Sequence, residues 1–196
     1  MPGISVQVNG ERVATIDLAG LNLVNVFVHG TLDGEQHATL SAHGGDYGNG
    51  RGGHLIWIAE HALLPGEVVT FTYLETCEGG DQGKTIAQLW PDAEADTRTD
   101  FSIDSQMAAE IRSRPRLRES FHVRVETSAG LRVTATSDDR NTDFNFSLLW
   151  SGIGEARARL RLETYCFDDV LNGPGGTEHL KTPVSFGGSA SFTVVP

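Results

Sequence analysis

The chain has 196 residues, with 26 acidic against 15 basic side chains, a formal charge of −11, 39% hydrophobic and 21% charged residues. That balance excludes an intrinsically unfolded chain, and it argues against a nucleic-acid backbone or an anionic membrane surface as partner, because both attract Lys and Arg footprints. At this length folding buries roughly 70% of the unfolded surface, so the core needs neither disulfide nor metal staples.

The first residues, Met1-Pro-Gly-Ile-Ser-Val-Gln-Val8, have neither the basic start nor the apolar run of a secretory signal, and no apolar stretch approaches the ~20 residues of a membrane helix. With only Cys77 and Cys166, the expectation is a cytoplasmic protein with two free, buried thiols.

Apolar and polar residues alternate over 4–8, 25–28, 68–74, 121–125, 131–135, 144–148, 158–162 and 189–195, the period-2 pattern of half-buried strands. Between them stand Asn9-Gly10, Asp33-Gly34, Pro65-Gly66, Ala129-Gly130 and Gly187-Gly188, which suit tight hairpins. The pattern is an antiparallel meander. It predicts a mainly β protein, an antiparallel β-sandwich or pair of sandwiches with a short helical connector.

Sliding the sequence by 120 residues brings Gly10, Arg12, Val13, Asn25, Gly34, Glu35, Ala38 and Leu40 onto identical residues from Gly130 to Leu160. Chance at average composition gives roughly two such matches. With an offset one residue larger, Phe71-Thr72 also corresponds to Phe192-Thr193. The reading is an internal duplication: a first β unit over 1–76, a connector over 77–118 and a second β unit over 119–196, forming two small sandwiches or one to which both contribute.

The connector carries the predicted helices. Residues 84–90 make a short one stopped by Pro91, and 104–112 make another capped by Asp104 or Ser105. The run from Arg112 to Arg118 holds four arginines and reads as a solvated linker.

Candidate chemistry is sparse. Gly79-Gly-Asp-Gln-Gly-Lys-Thr85 misses the phosphate-loop spacing, because its first glycine would have to stand at Glu78, so it reads as a flexible surface loop. His29, His37, His43, His54 and His61 cluster in the first half near Asp46 and Glu60. Their spacings match no metal scaffold, and the repeat sets Leu149, Arg157 and Glu163 opposite the first three. Asp138-Asp139 and Asp168-Asp169 read as turn residues, not calcium ligands. No G-x-S-x-G elbow is present, and neither cofactor nor metal nor catalytic residue is assigned.

Residues 43–54 hold six glycines in twelve positions, a costly stretch to order, which includes Tyr47 and Arg51, types favoured at binding hot spots. Residues 168–177 are its expected counterpart. Trp57 and Trp150 are expected in the core and Trp90, before Pro91, at the surface. Tyr47, Arg51 and Trp90 are therefore the candidate partner-binding residues. The leading expectation is a non-enzymatic protein-binding module, of the inhibitor or immunity type, whose negative charge draws a basic protein partner. A carbohydrate or small-ligand sandwich, a homo-oligomer joined through sheet edges and an enzyme of unrecognised type are the alternatives.

Overall fold

The computed structural model describes residues 1–48, 53–92, 103–153, 157–173 and 175–196. In chain order the elements are β1 (Gly3–Val8), β2 (Glu11–Asp17), β3 (Leu23–Thr31), β4 (Ala38–Gly45), β5 (Leu55–Leu63), β6 (Val68–Leu74), α1 (Ile86–Leu89), α2 (Ser105–Ser113), β7 (His122–Thr127), β8 (Arg132–Thr136), β9 (Asp143–Ser151), β10 (Arg157–Tyr165), α3 (Phe167–Asn172), β11 (Thr177–Val184) and β12 (Ser189–Val194).

The strands form two six-stranded antiparallel sheets packed as a sandwich, as the alternation predicts. The first has the order β2-β1-β6-β12-β7-β8 and the second β11-β10-β9-β3-β4-β5. Each of the stretches 1–76 and 119–196 puts three strands into each sheet. They meet where β6 pairs with β12, with Thr70 opposite Ser191, and where β3 pairs with β9, with Phe27 opposite Ser147.

Alternation decides which side chains enter the core. Val24, Val26, Val28, Leu40, Phe144, Phe146, Leu148, Leu160 and Leu162 of the second sheet face Ile4, Val6, Ile16, Val69, Phe71, Val123, Val125 and Phe192 of the first, all of them buried. At the centre Phe146 stacks on Phe71 and on Phe192, each at 5.4 Å between centroids, so rings from both halves and both sheets share one column. Burying each such side chain stabilises by roughly 1.5–3 kcal/mol relative to exposure. Trp150 is also core, its indole N–H buried without a partner.

Residues 77–84 form a largely exposed surface loop, as expected, but one pinned against the sandwich by hydrogen bonds. The backbone N–H of Asp81 donates to Thr15 O (2.7 Å), its carboxylate accepts from the Thr15 N–H (2.6 Å), and Lys84 and Ile56 exchange both backbone bonds. This strap therefore joins edge strand β2 of one sheet to edge strand β5 of the other. Two of its glycines are sterically required: a Cβ on Gly80 would lie 2.6 Å from Asp17 N, and one on Gly83 2.9 Å from the Trp57 ring. On the opposite side, edge strand β11 carries Lys181 and Pro183, residue types that blunt an edge against further pairing.

The helices follow their caps. Thr85 and Gln88 form a capping box on α1, and the Asp104 carboxylate accepts from Met107 N at 2.8 Å on α2. The third helix was not anticipated, because Asp168 and Asp169 read as turn residues; they occupy the first turn of α3, where carboxylates oppose the helix dipole. Nor is the arginine run wholly solvated. Arg112 grips Asp168 (Nη2 to Oδ1, 2.7 Å), while Arg118 Nη2 donates to the carbonyls of Thr31, Gly34 and Gln36 at 2.6–2.7 Å, fastening the β3–β4 turn. No described helix is long and apolar enough to cross a membrane.

Candidate functional site

Residues of the second sheet that do not enter the core form a broad outer face, and strand register orders them into rows. One row runs His43, Asn25, Leu149, Arg159, Pro183; the next Ser41, Phe27, Ser147, Arg161, Lys181; a third Thr39, His29, Asn145, Glu163, Glu178. Successive rows lie two residues, or roughly 7 Å, apart along the strands.

The half of this face built from β3, β4 and β5 is aromatic and imidazole-rich. Phe27 packs on His29 (5.7 Å) and edge-on to His43 (5.3 Å), His43 meets His54 (5.1 Å), and the Tyr47 hydroxyl lies 2.8 Å from His54 Nδ1. Burial lowers the His43 pKa below the ordinary imidazole value, with the neighbouring His54 adding to the effect; burial also lowers that of His29, against the opposing pull of Glu60 and Asp143. Three of the five expected histidines thus come together, but as a ring-packed row. No group of three or more His, Cys, Asp or Glu side chains able to hold a metal ion occurs among the described residues.

The other half, from β9, β10 and β11, is basic. The alternation Arg157-Ala-Arg-Leu-Arg161 on β10 sends every arginine to the outer face, where Lys181 joins them. Arg161 bonds Glu163 (2.8 Å) and Glu178 (3.1 Å), and Lys181 shares Glu178 at 3.6 Å. Arg159 has no carboxylate partner among the described residues. Between the two halves a depression of about 320 Å3 is lined by Asn25, Asn145, Ser147, Arg159 and Lys181, together with the Arg161–Glu163 ion pair. It continues past Leu149, Arg159 and Lys181 into a second hollow of about 590 Å3 reaching Ser151 and Ile153.

At the end of the sandwich bearing the β3–β4 turn, a groove of about 420 Å3 is lined by Arg112, Arg114 and Arg116 together with Asp33, Asp143 and Tyr165. Burial raises the Asp143 pKa despite hydrogen bonds from the Thr142 and Thr31 hydroxyls, and pushes that of Tyr165 up to about 12, with Asp143 and Glu163 adding to it. The Arg112–Asp168 pair already neutralises part of this groove.

Two of the three candidate residues from sequence, Tyr47 and Trp90, fall near the start of β5, at one corner. Tyr47 is 46% exposed, and its loop is held at the base by Asn22, which accepts from Tyr47 N (2.9 Å) and donates to Asp46 (2.8 Å). Trp90 is 48% exposed just after α1, beside the strap that pairs with the start of β5. Arg51 lies outside the described residues. The stretch 43–54 is not all loop, since His43 to Gly45 continue β4, and Gly44 passes so close to Leu23 that a Cβ would lie 2.4 Å from its carbonyl oxygen. Its expected counterpart, 168–177, sits at the opposite end of the second sheet, where Tyr165 pairs with Asp143 and Asp143 with Thr31. The two loops therefore do not form one surface. Trp57 is committed to the strap, donating its indole N–H to Asp81 O at 3.0 Å.

Sequence reasoning missed Asn25, Phe27, Asn145, Arg159, Arg161 and Lys181. Two signals were present: Asn25 and Asn145 are matched positions of the 120-residue repeat that serve neither core nor turn, and β10 alternates arginine with apolar residues. Fold and face together define a two-sheet β-sandwich with a polar, partly cationic sheet surface. Against known proteins, the chain matches no family model, no curated protein and no solved structure.

Proposed function

We propose that the chain is a non-enzymatic binding module whose contact surface is the outer face of the second sheet. One observation carries this reading: Asn25, Asn145, Ser147 and Arg159 converge on a single depression, and their side chains have no hydrogen-bond partner among the described residues. Asn25 and Asn145 are partly buried and Arg159 is exposed, so their donors and acceptors face the solvent of the depression and are available to an external partner.

Duplication belongs to the same reading. It is supported by the pairing of Phe27 with Ser147, residues separated by the repeat spacing itself, and by the matching orders β3-β4-β5 and β9-β10-β11 outward from that pair. A cytoplasmic setting draws support from the free thiols Cys77 and Cys166. The strap over β2 and β5, and Lys181 with Pro183 on β11, weigh against assembly by edge-to-edge pairing. The overall charge of −11 draws cations from a distance, yet this face offers guanidinium groups, so the group that seats here is anionic.

A second reading, a protein partner of the inhibitor or immunity type, rests on the exposed Tyr47 and Trp90 at one corner. Surface plasmon resonance separates the two. The immobilised protein is exposed to panels of neutral and acidic oligosaccharides, acidic peptides and basic proteins, alongside Asn25→Ala/Arg159→Gln and Tyr47→Ala/Trp90→Ala variants. Binding lost only in the first variant supports the sheet face, and binding lost only in the second transfers the function to the corner. Binding that survives both, or no binding to any panel, refutes the sheet-face reading.

A further inference from the structure

Resting on the sheet-face reading, we infer that the ligand is an acidic oligosaccharide, a chain of sugar rings bearing one carboxylate per ring or per repeating unit. The shape is the first argument. The depression and its neighbouring hollow share Leu149, Arg159 and Lys181, and together they follow β9 from Asn145 to Ser151. Six residues of extended strand span roughly 20 Å, a track for an oligomer.

The chemistry of the lining is the second. Asn25 and Asn145 each lie two residues before the central Phe27–Ser147 pair on antiparallel strands, so they flank it on either side. Each amide presents a donor and an acceptor in one plane, which matches vicinal hydroxyls, and Ser147 adds a hydroxyl between them. Leu149, which lines both hollows, gives the small apolar patch that the C–H face of a sugar needs. Every backbone group at the centre of this sheet is committed to its ladder, so a peptide cannot add itself as a strand here, and recognition runs through side chains to a hydroxyl-rich ligand.

The charge is the third. Arg159 is a guanidinium without a carboxylate partner among the described residues, whereas Arg161 and Lys181 already share Glu163 and Glu178. One uncommitted fork suits one carboxylate bidentately.

The test is isothermal titration calorimetry on the intact chain with oligogalacturonate, oligoglucuronate and oligomannuronate of one to six units. A neutral glucose hexamer and hexaglutamate are the comparison probes. Each is run on wild type, Asn25→Ala, Asn145→Ala, Arg159→Gln and, on the opposite sheet, Arg124→Gln, with melting curves confirming that the variants fold. At least one uronate should bind with affinity rising up to about four units. Arg159→Gln should weaken it about tenfold or more and each Asn→Ala severalfold, while Arg124→Gln and the neutral hexamer should show, respectively, no loss and no binding. Hexaglutamate binding that Arg159→Gln abolishes, with no uronate binding, overturns the saccharide class and leaves the sheet face standing. Uronate binding indifferent to all three face substitutions overturns the site, and silence from every probe overturns the proposal.

Discussion

Replacing Phe146 by alanine tests whether the two halves share one core. The ring is fully buried and stacks on Phe71 of β6, which belongs to the N-terminal half, and on Phe192 of β12, which belongs to the C-terminal half. A buried Phe→Ala change costs about 3–5 kcal/mol, and each lost ring pair accounts for about 0.5–1.5 kcal/mol beyond area alone. Taking about 4 kcal/mol, and about 2–4 °C per kcal/mol for a chain of this size, melting should fall by roughly 8–16 °C. Differential scanning calorimetry should show one transition before and after, displaced as a whole. Two transitions, with one left near the wild-type temperature, would refute the shared core, and so would a shift below about 2 °C.

Gly83→Val should push the strap off Trp57, where a Cβ already falls 2.9 Å from the ring; faster amide exchange at Ile56 and Lys84, with β9 protection unchanged, is the expected result. Arg118→Met leaves the carbonyls of Thr31, Gly34 and Gln36 without their shared donor and should cost about 1.5–3 kcal/mol in urea unfolding, as charged hydrogen bonds do. The Tyr165 hydroxyl, pushed up to about 12 chiefly by burial, resists ionising in the folded state but not in the unfolded chain, where its pKa is about 10. Stability is therefore lost as pH rises from about 10 to 12, by about 1.5 kcal/mol once solvent screening of a partly exposed ring is discounted, and Tyr165→Phe should flatten that limb. His29, His43 and His179 have lowered values, mainly through burial. The unfolded chain then takes up protons first, so stability should decline as pH falls through about 6.5, and His43→Gln should shallow the slope; an unchanged slope would show that the imidazole row is solvated.

Alternation made the architecture legible wherever one face met the core and the other met water. The period-2 runs at 4–8 and 68–74 coincide with β1 and β6 because Ile4, Val6, Val69 and Phe71 point inward between polar neighbours. It failed where that contrast breaks. In β5 the pairing slips between Leu40 and His43 of its neighbour, and in β11 it slips beside Glu163, so the apolar positions lose their phase. Pro183 further disguises β11 as non-strand, although an edge strand has a side on which the missing N–H is harmless. The strap was illegible for a different reason: Gly80 and Gly83 are explained by Asp17 and Trp57, more than twenty residues distant in sequence, and glycines in a row read equally well as a loop. The same limit applied to the site. Tyr47 and Trp90 stood out as residue types, but which polar side chains lack partners is a property of the folded sheet alone.

Net charge and local charge also point in different directions here, and the fold explains how both persist. Arg157, Arg159 and Arg161 sit at alternate positions of one strand, so the pleat that buries Ala158, Leu160 and Leu162 necessarily gathers the guanidinium groups on the opposite side. Glu163, continuing the same alternation, and Glu178, across the ladder, hold Arg161 in place while leaving Arg159 uncommitted. A chain that needed only solubility could carry its 26 carboxylates without this row. Arginines packed at two-residue spacing repel one another, and a cationic row on an acidic protein lowers the net charge that keeps it dispersed. On the proposed reading the arrangement serves the recognition of an anion, which fixes the order of substitution: Arg159 first, Arg161 only together with its glutamates, since removing Arg161 alone would leave two carboxylates facing the proposed ligand and weaken binding whatever its own role.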